Sequence, residues 1–269
     1  MGTQQLLIYD SVTKLGPDAC GQVVIAASHG GRYAAYLAAV AGVKGIILND
    51  AGFGCDNAGI GGMALLQECG IASATVSHAS SRIGDGKDAA MRGRISAANE
   101  IALALGVIKG MPACDAASRM VHNPGRPVQP PALLIESRTL LPLKNGKRVV
   151  VLIDSASLVQ ADDRDAIVIT GSHGGLLGGN PAAATKYPVF AALYNDAGIG
   201  IDCAGMGRLR ALDAQGIIGA TVDAYSARIG DARSSYEQGV LSAINKQATR
   251  IDLHTGMTVR DCVLQLQRI

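Results

Sequence analysis

The sequence predicts an α/β protein built as two tandem homologous domains, each a mainly parallel sheet flanked by helices, the two related by a pseudo-twofold axis. Three observations carry this expectation. Short polar motifs within residues 10–120 return in the second half of the chain. In both halves, apolar strand-like runs alternate with stretches of helical spacing. The chain has 34 glycines and only two phenylalanines, so its core must be built from Ala, Val, Ile and Leu, with tight turns and close helix–sheet packing.

The repeat is specific. Asp10-Ser11 returns as Asp154-Ser155, and Ser28-His29-Gly30-Gly31 as Ser172-His173-Gly174-Gly175, at an offset of 144 residues. Asn49-Asp50-Ala51-Gly52 returns as Asn195-Asp196-Ala197-Gly198, and Arg82-Ile83-Gly84-Asp85 as Arg228-Ile229-Gly230-Asp231, at an offset of 146. Repetition at a fixed spacing is the mark of a duplicated structural unit. The expected organisation is a first repeat over residues 1–120, a linker over 121–137, and a second repeat over 138–269 that begins with a hairpin.

The elements follow in order. Strands are expected at Leu6–Tyr9, Val23–Ala27, Gly45–Leu48 and Ala74–Val76, each a short apolar run. Helices are expected at Tyr33–Val40, at 57–69 with Gly70 as its stop, and at Asp88–Leu105, closed by Gly106. The second half gives strands at 149–153, 166–170, 191–194 and 220–222, and helices near 203–215 and 233–249. Right-handed crossovers should join the parallel strands. His122-Asn123-Pro124-Gly125-Arg126-Pro127 and Pro130-Pro131 read as linker. Arg138–Leu143 and Lys147–Leu152 flank Lys144-Asn145-Gly146, a hairpin signal.

Composition excludes several functions. A net charge of +2 without a basic block argues against nucleic-acid or membrane-surface partners. With no Trp and two Phe, base-stacking platforms are lacking. No apolar run reaches the roughly 18 residues of a membrane span. Met1-Gly2-Thr3-Gln4-Gln5 does not read as a secretory signal. Cys20, Cys55, Cys69, Cys114, Cys203 and Cys262 form no C-x-x-C pair, which points to reduced thiols in the cytoplasm.

The repeated motifs fall just past the carboxyl ends of expected strands, where open parallel sheets bind ligands. Gly30, Gly31, Gly174 and Gly175 would let backbone approach a ligand, with the next helix start favouring an anion. His29 and His173 are suited to proton transfer, competing with a plain tight turn. Asp50 and Asp196 could pair with those histidines or act as bases. Asn49 and Asn195 would orient substrate, although Asx turns favour the same residues. Arg82 and Arg228 could clamp a carboxylate or phosphate, or instead hold their loops by pairing with Asp85 and Asp231. Asp56 and Asp202 read as helix N-caps. Ser96 and Asn99 share a face of the expected long helix.

Residues 24–52 resemble the nucleophile-elbow region of α/β-hydrolases, with Ser28 where that family's G-x-S-x-G places its serine. The first glycine is replaced by Ala26 here and by Thr170 in the second half. His78 could complete a triad, but its counterpart is Ala224, and the later His254 corresponds to Ile108. No triad is retained in both halves, so the likeness is one of strand–turn–helix physics and not of membership.

The expected function is therefore an enzyme acting on a small polar, anionic metabolite by His/Asp acid–base chemistry. Hydrolysis of an amide or ester, or a lyase or isomerase step, fits the inventory. Ser28 and Ser172 would donate hydrogen bonds or serve as nucleophiles. No cofactor is expected; magnesium held by Asp10, Asp50 and Asp85 is the lesser alternative. The partner would be a small-molecule substrate, and the chain could form a homo-oligomer. The rivals are a non-catalytic small-anion binding or sensor protein and a structural assembly protein.

Overall fold

A computed structural model describes residues 6–125, 131–141 and 147–269. The chain forms two compact units. The first comprises Met1–Phe53, Asn57–Ile135 and Gly200–Asp202; the second comprises Gly54–Asp56, Glu136–Ile199 and Cys203–Ile269. The Lys144-Asn145-Gly146 turn and Arg126–Pro130 of the expected linker lie outside the described residues.

The first unit contains β1 (Leu6–Tyr9), β2 (Val23–His29), α1 (Arg32–Val40), β3 (Gly45–Asn49), α2 (Met63–Glu68), β4 (Ala72–Val76), α3 (Gly86–Arg92), β5 (Ile95–Ala98), α4 (Glu100–Ala104) and α5 (Ala113–Met120). Strands β1 to β4 lie side by side in chain order, all parallel, and β5 closes the edge antiparallel to β4. Crossovers of one hand in such a sequential order must all pass over the same face. They do: α1, α2 and the 3-10 turns at Val12–Lys14 and Pro17–Ala19 cover the face of Val24, Ala26, Ile46 and Leu48. The opposite face, with Val23, Ile25, Ala27 and Ile47, has no crossover to cover it. It is covered by α3, α4 and α5, which follow the last parallel strand. The period-2 alternation of β2 thus feeds two cores, and the strand is buried on both faces as parallel strands are.

The second unit contains β6 (Arg138–Leu141), β7 (Val150–Ile153), β8 (Ile167–His173), β9 (Ala191–Asn195), α6 (Arg208–Ala214), β10 (Ile218–Val222), α7 (Ala232–Gln238), β11 (Leu241–Ile244), α8 (Lys246–Thr249) and α9 (Val259–Leu266). Strands β7 to β10 are parallel in order, with β6 and β11 antiparallel at the two edges. Between β8 and β9 stand two 3-10 turns, Leu177–Gly179 and Pro181–Ala183.

The fold is thus α/β with two mainly parallel mixed sheets flanked by helices. Two corrections concern the long helices expected at Asp88–Leu105 and 233–249. Each is a helix, an antiparallel strand and a second helix: α3, β5 and α4 in the first unit, and α7, β11 and α8 in the second. Alanine content favours helix, but pairing satisfies the open edge of β4 through Ala74 with Ala98, Thr75 with Ala97 and Val76 with Ile95. Gly93 allows the switch, since a Cβ there would lie 2.8 Å from Val76 Cγ1. Helices α5 and α9 were not anticipated; each seals one end of a core through Met120 or Leu266, both fully buried. Among the described residues, no helix is long and apolar enough to cross a membrane.

Candidate functional site

Parallel register brings the repeated motifs of the first unit to one sheet edge. His29 pairs with Asn49, and Asn49 with Val76, so the carboxyl ends of β2, β3 and β4 lie abreast. Most polar groups there stitch the edge together. Ser28 Oγ accepts from Val12 N at 3.0 Å and lies 3.5 Å from Ser11 Oγ. Asp10 Oδ1 accepts from Gly86 N at 3.0 Å. Asn49 Oδ1 accepts from Ala51 N at 2.9 Å, while its amide donates to Ser81 O at 3.4 Å. Ser28 and Asn49 are buried, so these bonds satisfy groups that water cannot reach. Gly30 is a packing glycine: a Cβ would lie 2.7 Å from Gly59 O and 2.9 Å from Thr75 Cγ2.

Asp50 and His78 form a different kind of contact. Asp50 is fully buried, and its Oδ1 accepts from His78 N and faces His78 Nδ1, both at 2.8 Å, and accepts from Gly52 N at 3.0 Å. Burial pushes the carboxyl pKa up, but these three hydrogen bonds outweigh it and hold the group below its usual range. A charged carboxylate only accepts, so His78 Nδ1 is the protonated donor of this contact. The His78 side chain is 24% exposed, so solvent reaches the ring. Among the described residues Asp50 Oδ2 is buried without a hydrogen-bond partner; the Ser96 hydroxyl, which also favours the charged form, is engaged by Thr75 Oγ1 and Thr75 O.

His29 is placed on the neighbouring strand but is not the partner of Asp50. Its Nδ1 accepts from Gly31 N at 3.1 Å, which puts the ring proton on Nε2. Desolvation of the half-buried ring pulls its pKa down to about 4, so it is a neutral donor near pH 7. The N-terminus of α1 follows directly, with Gly31 as an N-cap that supplies no side chain.

The arginine loops are ion-pair centres. Arg82 Nη2 lies 2.9 Å from Asp202, which belongs to the first unit, and Arg82 Nη1 lies 3.6 Å from Asp88 and 3.7 Å from Asp85. Arg92 joins Asp88 at 2.7 Å and Asp202 at 3.0 Å. In the second unit, Arg228 holds Asp231 at 3.1 Å and Asp56 at 3.0 Å. Asp85 and Asp231 cap α3 and α7, accepting from Asp88 N and Ser234 N. Asp56 and Asp202 are therefore ion-pair partners in left-handed turns, and not the helix caps expected. Ser96 and Asn99 share no helix face: Ser96 is on β5, and Asn99 caps α4.

In the second unit, Ser172 Oγ accepts from Ala156 N at 2.9 Å and His173 Nδ1 from Gly175 N at 3.2 Å. Asn195 Oδ1 accepts from Ala197 N at 2.9 Å. A Cβ on Gly174 would lie 3.1 Å from Thr221 Cγ2. Asp196 differs most from Asp50. Its Oδ1 accepts from Ala224 N at 3.0 Å and Gly198 N at 2.9 Å, but no imidazole is present at position 224. Burial then dominates and its pKa is raised.

Asp10 and Asp85 are each committed to backbone N–H groups, and no group of three or more His, Cys, Asp or Glu placed to hold a metal ion occurs among the described residues. His78, which the sequence offers as a triad histidine and which retention in both halves discounts because its counterpart is Ala224, is the histidine that meets Asp50. No protein-family model, curated protein or solved structure matches the chain.

Proposed function

We propose that the chain is an enzyme acting on a small polar, anionic metabolite by His/Asp acid–base chemistry, with its reacting groups at the carboxyl edge of the first unit's sheet. The observation that carries this reading is the Asp50–His78 pair. A buried carboxylate on Nδ1 fixes the tautomer and orientation of an imidazole whose Nε2 can then take a proton. It also stabilises the imidazolium formed in that step. Activation of water toward an amide or ester carbonyl uses this base; so does proton abstraction in a lyase or isomerase step.

Neutral His29 fits the complementary role. An imidazole of lowered pKa donates through Nε2–H and can polarise a carbonyl without carrying charge. The uncapped start of α1 adds the positive end of a helix dipole, which favours an anionic substrate. Ser28 is assigned to the scaffold, because its hydroxyl is buried against Val12 and Ser11. We also take the two units as copies of one duplicated domain, of which the second lacks the base because Ala224 stands where His78 does. A non-catalytic anion-binding role is the second reading, favoured by the burial of Ser28, Asn49 and Asp50.

A crystal soaked in a metabolite mixture tests the placement. Density beside His78 Nε2 and His29 is the expected result. Ligand density elsewhere, with this edge empty, would overturn the assignment.

A further inference from the structure

Arg208, the first residue of α6 in the second unit, is 5% exposed, and it is the one Arg or Lys among the described residues in the buried class. Among the described residues its side chain donates hydrogen bonds from Nη1 alone, to Ala183 O at 2.7 Å and Ala184 O at 2.6 Å. Its Cζ lies 4.7 Å from the centre of the Tyr194 ring. Nε is buried without a partner, and Arg208 forms no ion pair among the described residues. Buried charges are ordinarily paired, because two carbonyl dipoles and a ring face do not replace the hydration of a full charge.

The first unit cannot carry this group. Gly62 stands at the corresponding position, 146 residues earlier, and a Cβ there would lie 2.5 Å from Ala35 Cβ on α1 and 2.7 Å from Gly31 O. In the second unit that helix is replaced by the 3-10 turns of Leu177–Ala183, whose tip, residues 178–182, is exposed. The helix start is tied to the repeated glycine loop, since Arg208 N donates to Gly174 O at 2.8 Å.

We propose that Arg208 marks an anion site of the second unit, at which the Nε/Nη2 edge of its guanidinium takes two oxygens of a small oxyanion. That edge is the fork which carboxylate and phosphate match side-on. Arg208 belongs to the second unit and His78 to the first, and the proposal does not depend on turnover at His78.

The test is thermal unfolding of the full chain titrated with sodium phosphate and, separately, sodium acetate, against sodium chloride at equal ionic strength. A rise in Tm that grows with the logarithm of oxyanion concentration, about 5 °C at a hundredfold excess over Kd, is expected for at least one oxyanion. The better ligand distinguishes a tetrahedral from a planar occupant. Arg208→Lys keeps the charge without the fork and should weaken binding at least about tenfold, as Arg208→Met should abolish it. His78→Gln should bind as the parent does. A rise no larger than chloride gives, an unchanged affinity in Arg208→Lys, or loss of binding in His78→Gln would overturn the proposal.

Discussion

The ring Nδ1 and the backbone N–H of His78 both end on one atom, Asp50 Oδ1, each at 2.8 Å. The second unit keeps the backbone bond, from Ala224 N to Asp196 Oδ1, and lacks the ring. The two buried aspartates therefore differ chiefly by one imidazole, and their pKa values move in opposite directions.

His78→Ala should accordingly move the Asp50 pKa from below its ordinary value to above it, toward the behaviour of Asp196. Carboxyl NMR titration of parent and variant measures this. The linkage has a definite sign. With its pKa held low, Asp50 contributes stability present above its unfolded pKa and lost as pH falls through the folded one. With its pKa raised, Asp196 contributes stability present at low pH and lost as pH rises through its folded pKa. An Asp50 pKa unchanged in the variant would show that the ring bond is electrostatically idle.

His29 sets a second pH dependence. Its folded pKa is about 4 against 6.5 for the ordinary group, so the unfolded chain binds the extra proton between those values. Stability should fall as pH drops from 6.5 to 4 and level off below. The contribution is at most about 3 kcal/mol, reduced by solvent access to the half-buried ring. Urea unfolding at pH 7 and 4.5 should show this loss in the parent and much less of it in His29→Gln.

Asn99 and Asn245 each hold a helix start and a strand together. Asn99 accepts from Ser73 N and Ala102 N and donates to Ile71 O; Asn245 accepts from Gly219 N and Ala248 N and donates to Ile217 O. Replacement by Ala removes a cap and strands buried partners, at a cost of about 3 kcal/mol in each case. Denaturant titration of the single variants checks this, and a cost below about 1 kcal/mol would contradict it.

Gly59 lies against the loop that carries Asp50. A Cβ there would collide with Asp50 O and lie 3.1 Å from Phe53 O, whereas a Cβ on nearby Gly61 meets nothing closer than 3.5 Å. Gly59→Ala should destabilise by more than about 3 kcal/mol or yield no soluble protein, while Gly61→Ala stays within about 1 kcal/mol of the parent. Equal melting temperatures for the two would refute the packing account.

The parallel strands were legible because short apolar runs such as Gly45–Leu48 end at turn residues. Val23–Ala27 was read too short, since a register shift between Ile25 and His29 carries β2 on to His29. Strands β5 and β11 were hidden because Ser96-Ala97-Ala98 is helix-prone by composition and becomes strand only by pairing with β4. Ser28, His29 and Asn49 are the last residues of β2 and β3 and do not lie past their ends, and most of the polar groups there answer to backbone N–H groups. Retention in both halves reports such folding roles as readily as chemistry. A group present in one half alone, such as His78 or Arg208, is invisible to that comparison.

In the proposed reading His78, oriented by Asp50, is the base of an active site. Its most direct test is to incubate the purified parent, His78→Gln and Asp196→Asn with a mixture of small acidic metabolites and follow consumption by mass spectrometry. The parent and Asp196→Asn should consume the same compound at comparable rates, while folded His78→Gln should be slower by about a hundredfold or more. Consumption by His78→Gln at the parent rate, or a metabolite that stabilises the parent without ever being turned over, would contradict that reading.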